Sequence, residues 1–236
     1  MPPLAAHLAV AVSAWIQGSV GFGYALVSAP LLALLDPALV PGPVMVSSLL
    51  LSLSGAVRER SSIDRRGVLL GLVGRLPGVA LGAAALAWLP DKQTSVVFGV
   101  LVLVAVALSV SGLRLALTTR NLLVTGFASG VMGTMTSIGG PPVALLYQHH
   151  EGPRLRSTLN AYFALGSAMS IPALALAGHF GASELLAGSL LLPATMAGFA
   201  LSAFTRSWID DGRTRAAVLA VASASALAVV VRELAP

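Results

Sequence analysis

The chain has 236 residues, of which 56% are hydrophobic and only 10% are charged. A soluble domain carries about 25% charged residues, so the composition excludes one and predicts a protein of membrane-embedded helices. Cysteine is absent, which excludes disulfides, thiolate metal sites and cysteine nucleophiles. The net charge of +5 does not indicate nucleic-acid binding, because the arginines lie in short loops between apolar stretches, where membrane topology explains them.

Most of the chain divides into apolar stretches close to the ~20 residues that a helix needs to cross a bilayer. Two other stretches, 4–36 and 121–149, are apolar but are interrupted by glycine, serine, threonine and proline. Glycine frees the backbone and proline cannot donate a hydrogen bond, so a regular helix is expected to fail at both interruptions. The predicted transmembrane helices cover 38–57, 67–89, 94–113, 157–177, 184–205 and 213–232.

The order of these elements is repeated: a broken segment is followed by three helices, twice. Pro30 matches Pro142 at a spacing of 112 residues, and Pro77 matches Pro193 at a spacing of 116. The pattern indicates an internal repeat within one integral membrane domain, as secondary transporters have. The two repeats cover residues 1–116 and 117–236.

The distribution of lysine and arginine bears on how the broken segments sit in the membrane. If each segment crosses once, giving eight full spans, the basic residues divide seven to six between the two sides. If each is a re-entrant hairpin, they divide eleven to two, as the positive-inside rule expects. The charges therefore favour hairpins, with eight full spans as the alternative. Because three helices per repeat is an odd number, the second repeat is then inverted relative to the first.

Inverted hairpins would bring their tips together near the midplane, where irregular backbone is tolerated only if it is buried in protein or lines a cavity. The arm after each break is expected to begin at a proline, Pro30 or Pro142. Its free N–H groups and positive dipole end would then face the midplane. No acidic residue falls in the middle of a predicted span, which disfavours a cation or metal site. The pattern predicts an anion site and no bound metal.

Arg75 is the one cation that lies well inside a predicted span, away from its ends. Such a residue is costly and marks a functional position, where it would attract an anion. The alternative is that it lies near the cytoplasmic end and extends to the lipid headgroups. The candidate substrate-binding residues combine Arg75 with small and polar residues of the two breaks and of the following helix: Gly21, Gly23, Tyr24, Ser28, Arg75, Thr134, Thr136, Ser137, Gly139, Gly140 and Asn160.

Two segments resemble a known family. "GSVGFGYALVSAPLL" at 18–32 and "GFASGVMGTMTSIGGPPVALLY" at 126–147 are similar to the signature segments of the TauE/SafE sulfite-exporter family, and the resemblance runs from about residue 4 to 232. It implies a multi-pass protein of the bacterial inner membrane that transports a small sulfur-containing anion such as sulfite, a sulfonate or sulfoacetate. No cofactor is expected. The direction, a proton or sodium coupling ion, and the oligomeric state are left open.

Some other functions of membrane proteins do not fit the sequence, and two stay open. An intramembrane protease would need paired acids, a Ser/His pair or a zinc motif within the bilayer, whereas the four histidines lie at segment ends, so no enzyme is expected. A retinal pigment needs a lysine inside a span, but the only lysine, Lys92, lies in a loop. An anion channel, and a transporter of another small oxoanion or a carboxylate, stay open as alternatives.

Overall fold

A computed structural model describes residues 2–205 except 114, 149 and 151, together with positions 224, 227, 228 and 231. Within these residues the secondary structure is helical. Single turns of 3-10 helix at Pro37–Leu39 and Arg60–Ser62 connect some of the helices. The α-helices are α1 (Leu4–Val20), α2 (Tyr24–Leu35), α3 (Gly42–Arg58), α4 (Arg65–Trp88), α5 (Asp91–Val110), α6 (Thr119–Thr136), α7 (Gly140–Tyr147), α8 (Gly152–Leu176) and α9 (Ala182–Thr205).

In the described part of the chain, five helices are long and apolar enough to cross a membrane: α3 with the turn before it, α4, α5, α8 and α9. They correspond to the first five predicted transmembrane helices, so the all-α, multi-pass fold is confirmed. The largest difference in their bounds is at α8, which begins at Gly152 rather than 157. Pro153 is tolerated there because the first turn of a helix has no intrahelical use for its N–H groups. The predicted helix 213–232 lies outside the described residues, apart from four positions.

The first broken segment breaks at glycine and not at proline. Gly21 and Gly23 have φ angles of 101° and 117°, in the left-handed region that glycine adopts at little cost. The N–H of Gly21 bonds the carbonyl of Gln17 and ends α1, and α2 begins at Tyr24. The prediction that the second arm begins at Pro30 was wrong: Pro30 lies inside α2. Its ring removes one hydrogen bond, whereas the glycines redirect the backbone.

The second broken segment follows the predicted pattern more closely. α6 ends at Thr136, Ser137 has a left-handed φ of 66°, and α7 begins at Gly140. Two prolines follow in the first turn of α7, where they are compatible with a helix start. Gly23 and Gly139, the residues that precede α2 and α7, are 116 positions apart, the spacing of Pro77 and Pro193. The helix bounds therefore suit a spacing of 116 better than the predicted 112, and the internal repeat itself stays a prediction.

Both broken segments fold back on themselves. In the first, Ala6 near the start of α1 shares an apolar cluster with Leu32 near the end of α2. Leu122, in the first turn of α6, shares an apolar cluster with Leu146 and Tyr147 at the end of α7. The side chain of Gln148, just after α7, donates to the carbonyl of Leu113, just before α6, at 2.6 Å. The entry and exit of this hairpin therefore lie at one end of the bundle.

The two hairpins open at opposite ends. α6 runs parallel to α4, since Gly74 faces Leu123 and Gly82 faces Val131; α4 starts where α3 ends. α1 runs parallel to α9, since Ala11 meets Gly198 and Gly18 meets Ser202. α9 starts beside the beginning of α3, where Gly42 meets Glu184. α1 and α6 therefore enter the bundle from opposite ends. The placement of these ends relative to the membrane, and the inversion of the whole second repeat, stay predictions.

Close packing of α4 on α6 fixes the position of the centre of α4. A Cβ added at Gly130 would lie 2.5 Å from the carbonyl oxygen of Arg75 and 3.0 Å from the Cα of Gly78. Backbones can approach this closely only where at least one of the facing residues is glycine, as in the small-residue interfaces of membrane helices. These contacts hold Arg75 against the second hairpin.

At the end of the bundle where α3 stops, two ion pairs join the halves of the chain. Arg156 pairs with Glu59 at 2.6 Å, and Arg154 pairs with Asp64 at 3.2 Å. Burial alone would raise the pKa of Asp64, but hydrogen bonds from the Gly67 N–H and from Arg154 lower it below its usual value. The pairs place the segment 58–66 beside the start of α8, in the region that the sequence predicts as the loop 149–156, at what we define as the arginine end.

These contacts predict that the two loops face the same compartment, the cytoplasm, as the arginine distribution requires. In this cysteine-free chain, Ser61→Cys and Pro153→Cys, both at exposed positions, should react with an impermeant maleimide only from the cytoplasmic side. Ala38→Cys, exposed beyond α2, should react only from the other side. Labelling of the Ser61 and Pro153 variants from opposite faces would contradict the hairpin topology and favour eight spans.

Candidate functional site

A cavity of about 40 Å³ lies between the two breaks. One water needs ~10–15 Å³, so the cavity has room for roughly three waters or a small ion of a few heavy atoms. Both hairpins, α3, α4 and α8 contribute to its wall. The lining residues are Gln17, Phe22, Gly23, Ala25, Leu26, Ser48, Arg75, Ser137, Ile138, Gly139, Gly140, Pro141, Phe163 and Ser167.

Arg75 reaches this cavity from the middle of α4. It is the eleventh of the 24 residues of that helix, and only 4% of its surface is exposed. Its Nη1 donates to the hydroxyl of Ser129 at 2.9 Å and its Nη2 to that of Ser170 at 3.4 Å. The guanidinium also lies 5.4 Å from the ring centroid of Tyr162. The side chain points into the protein, so the alternative of a headgroup contact does not describe it.

No carboxylate balances this buried charge among the residues that the structure describes. The ion pairs found there are those of Glu59 and Asp64 with the α8 arginines, at the arginine end. The Nε of Arg75 has no acceptor within the described chain. Burying a cation without a counter-charge costs several kcal/mol, and serine hydroxyls offset only part of that cost. The site is therefore electrostatically incomplete without an anion.

The second break approaches the guanidinium directly. The Ser129 hydroxyl accepts from Arg75 and donates to the carbonyl of Gly139 at 2.5 Å. A Cβ at Gly139 would lie 2.8 Å from the Ser129 hydroxyl and 3.0 Å from Arg75 Nη1. Only glycine leaves room for this arrangement. The second break therefore places the backbone of Gly139 beside the positively charged guanidinium of Arg75.

Backbone N–H groups complete the positive character of the cavity wall. Those of Ala25 and Leu26 in the first turn of α2, and those of Gly139 and Gly140 at the second break, have no acceptor in the described residues. The N–H of Tyr24 is instead used by the side chain of Gln17, at 3.2 Å. Free N–H groups at helix N-termini carry the positive end of the helix dipole. Together with Arg75 they can bind a small anion and would repel a cation.

Five of the eleven candidate residues line the cavity, from both hairpins and α4: Gly23, Arg75, Ser137, Gly139 and Gly140. The other six do not: Gly21, Tyr24, Ser28, Thr134, Thr136 and Asn160. Several of these use their polar groups within the protein. The Tyr24 hydroxyl bonds Ser47 and Thr195, and the hydroxyls of Ser28 and Thr136 donate to carbonyls four residues earlier in their own helices.

Two of those six support residues that do reach the cavity. The hydroxyl of Thr134 lies 3.0 Å from that of Ser170, which accepts from Arg75. Asn160 Oδ1 accepts from Gln17 Nε2 at 3.0 Å. Gln17 lines the cavity, so both contacts fix the orientation of a lining side chain without touching the space inside.

The sequence interpretation missed several lining residues. Gln17 carried a signal, because it is the one amide side chain in the apolar stretch 4–36. Ser48 and Ser167 are both buried and line the cavity as well. Serines are frequent in these helices, so nothing in the pattern singled out these two.

Comparison with protein families identifies the family to which the chain is related. The model of the family "Sulfite exporter TauE/SafE" matches residues 6–229. The chain belongs to this family. Comparisons with curated proteins and with solved structures gave no match. The TauE/SafE match spans both hairpins and all the helices described above, so the suspected relationship is confirmed and the multi-pass membrane protein is a member of a family of transporters.

The unbalanced charge in this TauE/SafE chain leads to a prediction for Arg75. Arg75→Gln should lower the affinity for an anion by roughly ten- to over a hundredfold, since a hydrogen bond to a charged group contributes about 1.5–3 kcal/mol. Arg75→Lys should retain part of the affinity, because the charge survives but the forked donor does not. Binding to purified protein can be measured by calorimetry.

The control for this pair is Arg66→Gln, which removes the same charge from an exposed position outside the cavity. It should leave anion binding within about threefold. Anion binding that is unchanged in the Arg75→Gln protein, with normal gel-filtration behaviour, would remove Arg75 from the binding site.

Proposed function

We propose that this protein carries a small sulfur-containing oxyanion, namely sulfite, an organic sulfonate or sulfoacetate, across the bacterial inner membrane. The substrate would bind in the cavity between the two hairpin tips. The observation that carries the proposal is the buried guanidinium of Arg75, which lines this cavity and has no carboxylate partner in the described chain. Membership of the TauE/SafE family supports the class of substrate.

The cavity wall suits an oxyanion for geometric reasons. Such an ion carries several oxygens on one small centre, so it can accept from donors on different sides at once. Arg75 lies on α4, while the free N–H groups lie at the starts of α2 and α7. The remaining wall includes Phe22, Leu26 and Phe163, which leaves an apolar side for a small organic substituent.

Transport requires that the cavity open to each side in turn, as rocking of helices against the hairpins would allow. Towards the arginine end, Gly21 of the first hairpin packs against Arg156, which pairs with Glu59. On the other hairpin, the Ser137 hydroxyl donates to the carbonyl of Pro41, before α3, at 2.8 Å. We propose that these two contacts break alternately as the substrate passes.

Binding of a panel of anions to purified protein tests the proposal. Sulfite, methanesulfonate and sulfoacetate should bind more tightly than acetate by at least about tenfold, because the spread of donors fits three oxygens better than two. Liposome uptake should saturate with substrate concentration. Preferred binding of carboxylates would contradict the substrate class, and single-channel conductance in a planar bilayer would assign the chain to the anion channels.

A second prediction concerns the second break. A Cβ at Gly140 would lie 3.2 Å from Phe163 Cζ, a tight contact that a ring can relieve, so Gly140→Ala should fold. The added methyl group would narrow the approach to the N–H groups beside it. We expect an at least tenfold loss of anion affinity, equivalent to about 1.4 kcal/mol, measured by calorimetry, and a loss of transport in liposomes.

The matched control is Gly181→Ala, in the loop before α9. Its Cβ would make an ordinary contact of 3.5 Å with Glu184, and the site is remote from the cavity. Binding should stay within about threefold of the parent. If Gly140→Ala binds and transports like the parent, the second break is a packing device and not part of the anion site.

A further inference from the structure

A second recess lies on the outer surface, between α4 and α8 near the arginine end. This groove has a volume of about 620 Å³. Arg60 and Arg65 stand at its rim, and Leu69, Ala161 and Leu165 form its floor. Leu69 is 64% exposed and Leu165 is 48% exposed, on helices that can cross a membrane. The floor therefore faces lipid.

The rim carries uncompensated positive charge. The exposed side chains of Arg60 and Arg65 make no hydrogen bond or ion pair with any residue that the structure describes. The acids nearby in sequence are engaged by α8: Glu59 by Arg156 and Asp64 by Arg154. The two rim arginines are thus left available to an external anion.

We propose that this groove binds an anionic phospholipid of the surrounding bilayer. Arg60 and Arg65 receive the phosphate, and an acyl chain lies over the floor. The floor runs away from the rim, because Leu69 follows Arg65 by one helical turn on the same face of α4. The charged rim can bind the headgroup of a lipid while the apolar floor packs against its acyl chain. A soluble anion would contact the rim only. Basic pockets between transmembrane helices recognise anionic headgroups in this way.

Lipid retention by the purified full-length protein tests this site. Delipidated protein is titrated with phosphatidylglycerol or phosphatidylcholine, and bound lipid is counted by native mass spectrometry. Phosphatidylglycerol should bind at least about tenfold more tightly, because the ammonium of phosphatidylcholine offsets its phosphate. Arg60→Gln/Arg65→Gln should weaken phosphatidylglycerol binding by about 25-fold, since each basic residue near a headgroup contributes about fivefold.

Two further variants separate the groove from general surface charge. Arg66→Gln/Arg120→Gln removes the same charge at the same end. Arg66 lines a different cleft, beside Leu117 and Thr119, so this variant should stay within about threefold. Ala161→Phe fills the floor and keeps both rim arginines, and it should weaken phosphatidylglycerol binding at least about fivefold.

Three results would overturn the proposal. One is equal affinity for the two lipids. Another is an equal loss in the two double variants, which would assign the effect to surface charge as a whole. The third is displacement of phosphatidylglycerol by inorganic phosphate at matched concentration, which would reduce the site to a soluble-anion contact. Gel filtration and circular dichroism establish whether each variant is folded. If Ala161→Phe does not fold, the two double variants test the proposal without it.

Discussion

The structure depends on one electrostatic constraint, which is a guanidinium buried in the middle of a membrane protein without a counter-charge in the described chain. Arg75 is held by two serine hydroxyls and the face of Tyr162. These partners satisfy some of its donors but leave its charge uncancelled. An interior of low polarity makes that charge act strongly on whatever enters the cavity. By this charge the cavity would favour an anion over a cation, whatever the particular substrate.

The packing of the helices serves to keep that charge in place. Where α4 crosses α6, glycines on both helices let the two backbones touch, with Gly130 against Arg75 and Gly78. The same α6 carries Ser129, which joins the guanidinium to the second break. A larger residue in this interface would move Arg75 away from the tip that it faces. A change in the packing of α4 on α6 would therefore also change the electrostatics of the cavity.

The fold was predicted well from the sequence because helices embedded in a membrane are recognisable by their apolar composition. Apolar length located five transmembrane helices among the described residues, and the interruptions located both breaks. The start of α2 was misplaced because proline was taken as the breaking residue. The chain turns at the left-handed Gly21 and Gly23, and α2 begins at Tyr24, six residues before Pro30. Backbone angles of this kind cannot be read from residue type alone.

The cavity was harder to predict than the fold, since it depends on side-chain direction. Gly23, Arg75 and Gly139 reach it, and they were found through their chemistry. Tyr24 points away, to Ser47 and Thr195, because the helix that it begins presents it to the opposite side. Ser48 and Ser167 line the space but resemble every other serine in these helices. Whether such a residue lines the cavity depends on the rotation of its helix about the helix axis.

The free N–H groups of Ala25 and Leu26 have a consequence for how a protein of this kind can change over time. Every residue except proline carries the same backbone donor. A cavity that offers main-chain N–H groups can therefore exchange its side chains at those positions and keep its affinity for negative charge. What must persist is the turn that exposes them, set by Gly21 and Gly23. In the anion site that we propose, recognition of charge would therefore depend on backbone conformation, and the neighbouring side chains could change to suit the rest of the ligand.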